Sequence, residues 1–140
     1  MPRKLQSYES DAIEVTFEPA RCIHSAVCLR SLPDVFDVAQ RRWIMPEKGT
    51  AEAIVDAVEH CPSGALRYHR RDGETDEQPD PVVTVRPMRN GPLIVRGEVE
   101  VVDGEGAPLP TGPRMALCRC GGSGNKPFCD NTHRSNGFTA

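Results

Sequence analysis

Six cysteines in two groups of three constrain this chain more than any other feature. Cys22, Cys28 and Cys61 lie in the first half, and Cys118, Cys120 and Cys129 lie near the C-terminus. Only 38% of the 140 residues are hydrophobic and 5% aromatic, so neither half builds a large apolar core by itself. Small modules of this kind depend on a staple, whether disulfides, a metal or a partner. The opening Met-Pro-Arg-Lys-Leu-Gln-Ser is charged with no apolar stretch behind it, so no secretory signal is expected. No apolar run approaches the length of a membrane span, and the expectation is a cytoplasmic chain with no membrane partner. There, clustered cysteines point to metal chemistry rather than disulfides. A net charge of −3 and few aromatics argue against nucleic-acid binding.

The stretch Arg70 to Pro81, RRDGETDEQPDP, is acidic and lacks large apolar residues, which reads as a linker. The expected division is residues 1–71, a linker over 72–81, and a second module over 82–140. In the first, Ile13, Val15 and Phe17 alternate as a strand, and a cysteine-bearing loop from Arg21 to Cys28 leads into a short helix. Residues 42–45 suggest a second strand. Ile54, Ala57, Val58 and Cys61 follow helical spacing behind Thr50 as N-cap, and Leu66 and Tyr68 suggest a closing strand. The unit lacks a Gly-rich phosphate loop. In the second module, strands over 82–86 and 93–103 flank Asn90-Gly91, a hairpin signal because both residues tolerate positive φ. A short strand, Met115 to Leu117, then feeds Cys118. The fold class is α+β, a small β-α-β module followed by a β-rich one.

The C-terminal pattern is Cys118-x-Cys120, Ser123, Pro127, Cys129-Asp130 and His133. Thiolates suit zinc, copper(I) and iron–sulfur clusters. A Cys-x-Cys pair places two thiols near one metal ion, leaving Cys129 and His133 for a second. Small residues at 121–124 let backbone N–H groups approach an anionic centre, and Asp130 is placed to N-cap a helix beginning at Asn131. This segment resembles the CDGSH (mitoNEET-like) iron–sulfur domain over roughly its last sixty residues. The resemblance implies a 2Fe–2S cluster held by Cys118, Cys120, Cys129 and His133, supported by Ser123, Pro127 and Asp130. It also implies a β-rich cap through which a homodimer pairs. Asn131-Thr132 replaces the family's Gly-Ser, and Asn is the mildest replacement where positive φ is needed. A zinc site with the same four ligands is the alternative, although zinc sites usually carry Cys-x2-Cys.

Cys22 and Cys28 hold the first and third positions of a ferredoxin-type cysteine triplet. Ser25 stands in the middle, and Cys61-Pro62 is the remote Cys-Pro. The arrangement resembles a divergent single-cluster, ferredoxin-like domain, carried by Cys22-Ile-His, Pro33-x-Val-Phe36, Trp43-Ile and Cys61-Pro-Ser-Gly-Ala-Leu. That implies a 3Fe–4S cluster, or a 4Fe–4S cluster whose fourth iron is held by His24 or Ser25. His60 and His69 read as a helix-end cation and a surface strand residue.

The combined expectation is a two-cluster electron carrier serving a reductase or oxidoreductase, with proton-coupled redox at the His-ligated cluster. Iron–sulfur cluster storage, transfer or redox and iron sensing is the alternative. No nucleophile–base pair or substrate-pocket signature suggests an enzyme.

Overall fold

Two three-stranded antiparallel sheets organise the chain, one in each half. The computed structural model describes residues 5–140. In the first half, β1 (Gln6–Glu9) and β2 (Ile13–Phe17) pair, and β3 (Leu66–Arg70) adds to the other side of β2. Between β2 and β3 run α1 (Val27–Ser31) and α2 (Ala51–Glu59). Two helices lie between β2 and β3, β1 precedes them, and all pairing is antiparallel, so the expected β-α-β unit is not the arrangement seen. No strand forms over 42–45, where only Ile44 bridges Phe36. A tight turn at Asp37, whose carbonyl accepts from Gln40 N–H at 3.0 Å, closes one side of that bridge. The Pro46–Lys48 turn ends the other.

The alternation in β2 buries Ile13 and Val15 against Ile54 and Val58 of α2. Thr50 caps α2 as expected, its hydroxyl accepting from Ala53 N–H at 3.1 Å. Burial at Ala51, Ile54, Ala57 and Val58 traces one helical face and sets where the chain leaves toward Cys61. Trp43 sits over this core, edge-on to Phe17 with ring centroids 4.9 Å apart.

The second sheet has β4 (Thr84–Pro87), β5 (Leu93–Arg96) and β6 (Arg114–Leu117) in that order. The turn between β4 and β5 is wider than a two-residue hairpin. Gly91 N–H donates to Met88 C=O, Met88 N–H donates to Pro92 C=O, and only Asn90 of the Asn-Gly pair has positive φ, at 53°. The strand expected over 93–103 stops at Arg96, before Gly97 at φ of 122°, and further on Val102 bridges Pro108.

Residues 72–81 hold no helix or strand but are tied down at their middle. Asp76 accepts from Arg70 N–H and pairs with His69 at 2.7 Å, while Glu77 forms a two-pronged pair with buried Arg114 of β6. No helix among the described residues is long and apolar enough to cross a membrane.

Candidate metal centres

β6 delivers Cys118, and the chain then loops back so that Cys129 returns beside it. Cys118 N–H donates to Pro127 C=O at 2.7 Å, Cys129 N–H donates to Ala116 C=O at 2.8 Å, and Leu117 bridges Phe128. The loop is braced from inside by Ser123, 7% exposed. Its hydroxyl donates to Phe128 C=O at 2.6 Å and accepts from Asn125 N–H at 3.0 Å.

The four donors stand as two pairs. Cys118 Sγ lies 3.9 Å from Cys120 Sγ, and Cys129 Sγ lies 3.4 Å from His133 Nδ1. Metal–sulfur bonds of ~2.3 Å about a tetrahedral ion give a ligand edge of the same size, so each pair fits one metal. Among the described residues, no three Cys, His, Asp or Glu side chains converge on the position of a single ion. Backbone N–H groups point at the thiols, from Gly122 to Cys120 Sγ at 3.3 Å and from Asn131 to Cys129 Sγ at 3.4 Å.

Asp130 is not the N-cap expected: the element after it is shorter and has Asn131 at its N-cap. The helix expected from Asn131 is a single 3-10 turn, Thr132–Arg134, and Asn131 before it takes φ of 79°. The left-handed conformation therefore falls on the Asn that replaces the family's glycine. Asp130 accepts from Thr132 N–H at 3.1 Å, from the Thr132 hydroxyl and from Gly124 N–H at 2.8 Å. So short a turn lacks the aligned peptides of a helix dipole, and the local N–H donors supply positive potential instead.

The thiols differ in acidity. The Gly122 N–H beside Cys120 lowers its pKa, whereas burial raises that of Cys129. Burial lowers that of His133, with Arg134 adding to the effect and Asp130 opposing it. At Asp130 burial would raise the pKa, but the Thr132 and Gly124 donors outweigh it.

The other three cysteines surround one cavity, lined also by Ser25, Trp43 and Ser63. Cys22 follows the Pro19–Arg21 turn, Cys28 opens α1, and Cys61 follows α2, its N–H donating to Val58 C=O at 3.0 Å. His24 and Ala26 take φ of 55° and 60°, which curls the loop so that His24 N–H reaches Cys22 Sγ at 3.4 Å. Ser25 lines the cavity; the His24 side chain is exposed and lies outside that lining. Burial raises Cys28 to about 11, reinforced by Cys61, and burial also raises Cys22. Three apolar-walled thiols with a hydroxyl nearby suit a soft, multi-metal group better than a hard cation.

Several residues that bind the two centres together carry no recognisable sequence motif. Ile23, beside Cys22, is 3% exposed and packs in one apolar cluster with Ile94, Ala116 and Cys129. Arg134, beside His133, donates to His24 C=O at 3.2 Å. Arg114 donates to Cys61 C=O at 2.6 Å and to Leu66 C=O at 2.8 Å. Gly64, at φ of 72°, lies where an added Cβ would come within 2.2 Å of Arg114 C=O. Arg21 stacks over Phe128 at 4.0 Å, and Asn125 donates to Ala20 C=O at 3.3 Å. The only sequence signal is Ile23, an isolated apolar residue inside a cysteine loop.

Two cysteine-rich loops, each with backbone N–H groups donating to a thiol, define an iron–sulfur protein. Residues 8–71 match the divergent 4Fe-4S mono-cluster family, and residues 90–134 match the iron-binding zinc finger family of CDGSH type. Over its N-terminal half the chain belongs to the first family, and its C-terminal half is similar to the second. The uncharacterized protein YjdI of Escherichia coli strain K12 is 36% identical over 64 residues, spanning 46% of this chain and 84% of that relative. YjdI of Escherichia coli O157:H7 is similar to the same extent.

Proposed function

We infer that this protein holds two clusters and carries electrons between them and a redox partner in the cytoplasm. The observation that supports this most directly is Ile23. It adjoins Cys22 in sequence and shares a buried apolar cluster with Cys129, so one apolar cluster connects the two cysteine loops. In this reading Cys118, Cys120, Cys129 and His133 hold a 2Fe–2S cluster, two donors to each iron. Cys22, Cys28 and Cys61 hold a 3Fe–4S or 4Fe–4S cluster. Ser25, which lines that cavity, is better placed than the exposed His24 to approach a fourth iron. When bound, such clusters supply one-electron chemistry.

The residues shape that chemistry. A neutral imidazole in place of a thiolate makes the C-terminal centre less negative and raises its potential. His133 turns Nδ1 toward Cys129, leaving Nε2 as the atom that exchanges a proton with water. The N–H donors from Gly122 and Asn131 favour added negative charge on the sulfurs. The protein has no catalysis of its own in this reading.

Anaerobic purification with iron and sulfide analysis, Mössbauer and EPR spectroscopy tests the proposal. The expected result is two clusters whose spins interact when both are reduced, with a C-terminal potential that falls as pH rises. A single cluster, or zinc without iron, would refute the reading. A pH profile that is flat, or unchanged in His133→Cys, removes the proton coupling alone. Exposed Gly121, Gly122 and Gly124 around half-exposed Cys118 and Cys120 also suit cluster storage, donation or sensing. Loss of the C-terminal cluster to an apo-ferredoxin faster than reversible reduction would favour that second reading.

A further inference from the structure

The surroundings of His133 carry a charge pattern that cluster ligation does not use. Residues 84–97 and 114–140 contribute Arg86, Arg89, Arg96, Arg114, Arg119, Lys126 and Arg134, with Asp130 as the sole carboxylate side chain. The rest of the chain's 20 acidic residues lie elsewhere, although the net charge is −3. Glu77 pairs with Arg114 and Asp80 with Arg96, so those two cations are neutralised. Asp130 is engaged by Thr132 and Gly124.

The remaining arginines near His133 keep their charge. Arg134 is exposed and donates to the His24 carbonyl, which holds the side chain without neutralising it. Arg119 is held by the carbonyls of Met88 and Gly91, lies 5.3 Å from the Phe138 ring centre, and is 3.5 Å from an Ala140 oxygen. Arg89 is exposed and pairs with no carboxylate among the described residues. An open groove lined by Met88, Arg89, Asn90, His133, Arg134 and Phe138 gathers these features beside the half-exposed imidazole.

We propose that this groove is the docking surface for an acidic electron-transfer protein. The inference rests on the electron-carrier reading above. Exposed arginines flanking an aromatic ring and a methionine match the composition of protein–protein contacts. A small anion would instead need a closed pocket with buried donors, and here both Arg89 and Arg134 are exposed. Opposite charge on the partner steers encounter and sets orientation more than it adds affinity, which suits a short-lived redox complex. Docking here puts the partner against His133, the ligand on the groove.

The test is binding, read by amide chemical shifts and calorimetry, of the full-length cluster-loaded protein to an oxidised, acidic plant-type ferredoxin as probe. The expected complex weakens at least about tenfold between about 20 and about 200 mM salt, with shifts at Asn90, Gly137 and Thr139. Arg89→Glu, an exposed change, weakens binding about tenfold more than the control Lys48→Glu on the other module. Equal effects of the two substitutions, salt-independent binding or no binding overturns the proposal. So does saturation of the same shifts by submillimolar inorganic phosphate, which would assign the groove to small anions. None of these outcomes depends on whether the clusters are redox-active, so the two readings fail separately.

Discussion

The buried guanidinium of Arg114 holds the backbone carbonyl of Cys61 at 2.6 Å, so a side chain of the second module fixes the loop bearing a cysteine of the first. Glu77 balances the charge with two bonds of 2.9 Å, and Leu66 accepts a further one. A fully buried Arg is tolerable only when paired and hydrogen-bonded in this way. The two halves therefore share one polar network at their boundary.

Arg114→Met should cost about 3–5 kcal/mol, the penalty for leaving the partner of a buried ion pair uncompensated. Trp43 lies in the first module, so its fluorescence during urea unfolding reports the effect of a change made in the second. An unchanged Trp43 midpoint would mean that the halves unfold independently. Glu77→Gln, which keeps one acceptor oxygen, should cost less than Arg114→Met.

Asn131 takes φ of 79°, and its Oδ1 is buried with no hydrogen-bond partner among the described residues. Asn131→Gly should therefore be neutral or slightly stabilising, because glycine adopts that conformation freely and removes the orphaned oxygen. Asn131→Ala should lose about 1–2 kcal/mol, since a Cβ is disfavoured in the left-handed region. The decay of visible absorbance from the C-terminal cluster at fixed temperature would rank them Gly at least as slow as Asn, then Ala.

In protein stripped of metal, alkylation by iodoacetamide at mildly alkaline pH should reach Cys120 first. The Gly122 N–H lowers that thiol's pKa, while burial holds Cys28 at about 11 and raises Cys22 and Cys129. Thiolate is the reactive form, so Cys28 should lag by at least about tenfold. Peptide mapping by mass spectrometry reads the order, and equal labelling of Cys28 and Cys120 would contradict it.

Acid stability should depend on Asp76. Its pKa is depressed by the Arg70 N–H first and by His69 next. A carboxylate with a lowered folded pKa contributes stability that is present above its unfolded value and lost as pH falls through the folded one. The loss therefore lies below the ordinary aspartate value of 3.8. Asp76→Asn should lower the melting temperature near neutrality and flatten its fall in acid. Parallel curves for the two proteins would show that the interaction contributes nothing.

Both candidate metal centres are visible in sequence because soft-metal ligation needs particular residue types at particular spacings. The elements fixed by local pattern, β2 and α2 with its Thr50 cap, are equally legible. What joins the halves is not. Arg114 follows a proline and precedes an apolar run, as an ordinary edge-of-strand cation would, and only the tertiary fold brings it to Cys61. Residues 72–81 have a linker's composition, yet Glu77 is spent on Arg114. Asp130 has the right chemistry for a cap, but the left-handed Asn131 takes the N-cap position and leaves Asp130 to accept from Thr132 and Gly124.

Gly64 has a consequence for how such chains can be assembled from parts. Its Cα hydrogen occupies the place where any side chain would strike the Arg114 carbonyl. The contact is made by the absence of an atom, so it leaves no side-chain motif and no tolerance for one. A different CDGSH-type module grafted onto this N-terminal half, or the reverse, must reproduce that bare approach. Otherwise the graft would loosen the apolar cluster that Ile23 now shares with Cys129. The two halves look like separable cassettes in sequence, but at this seam they are machined as a matched pair.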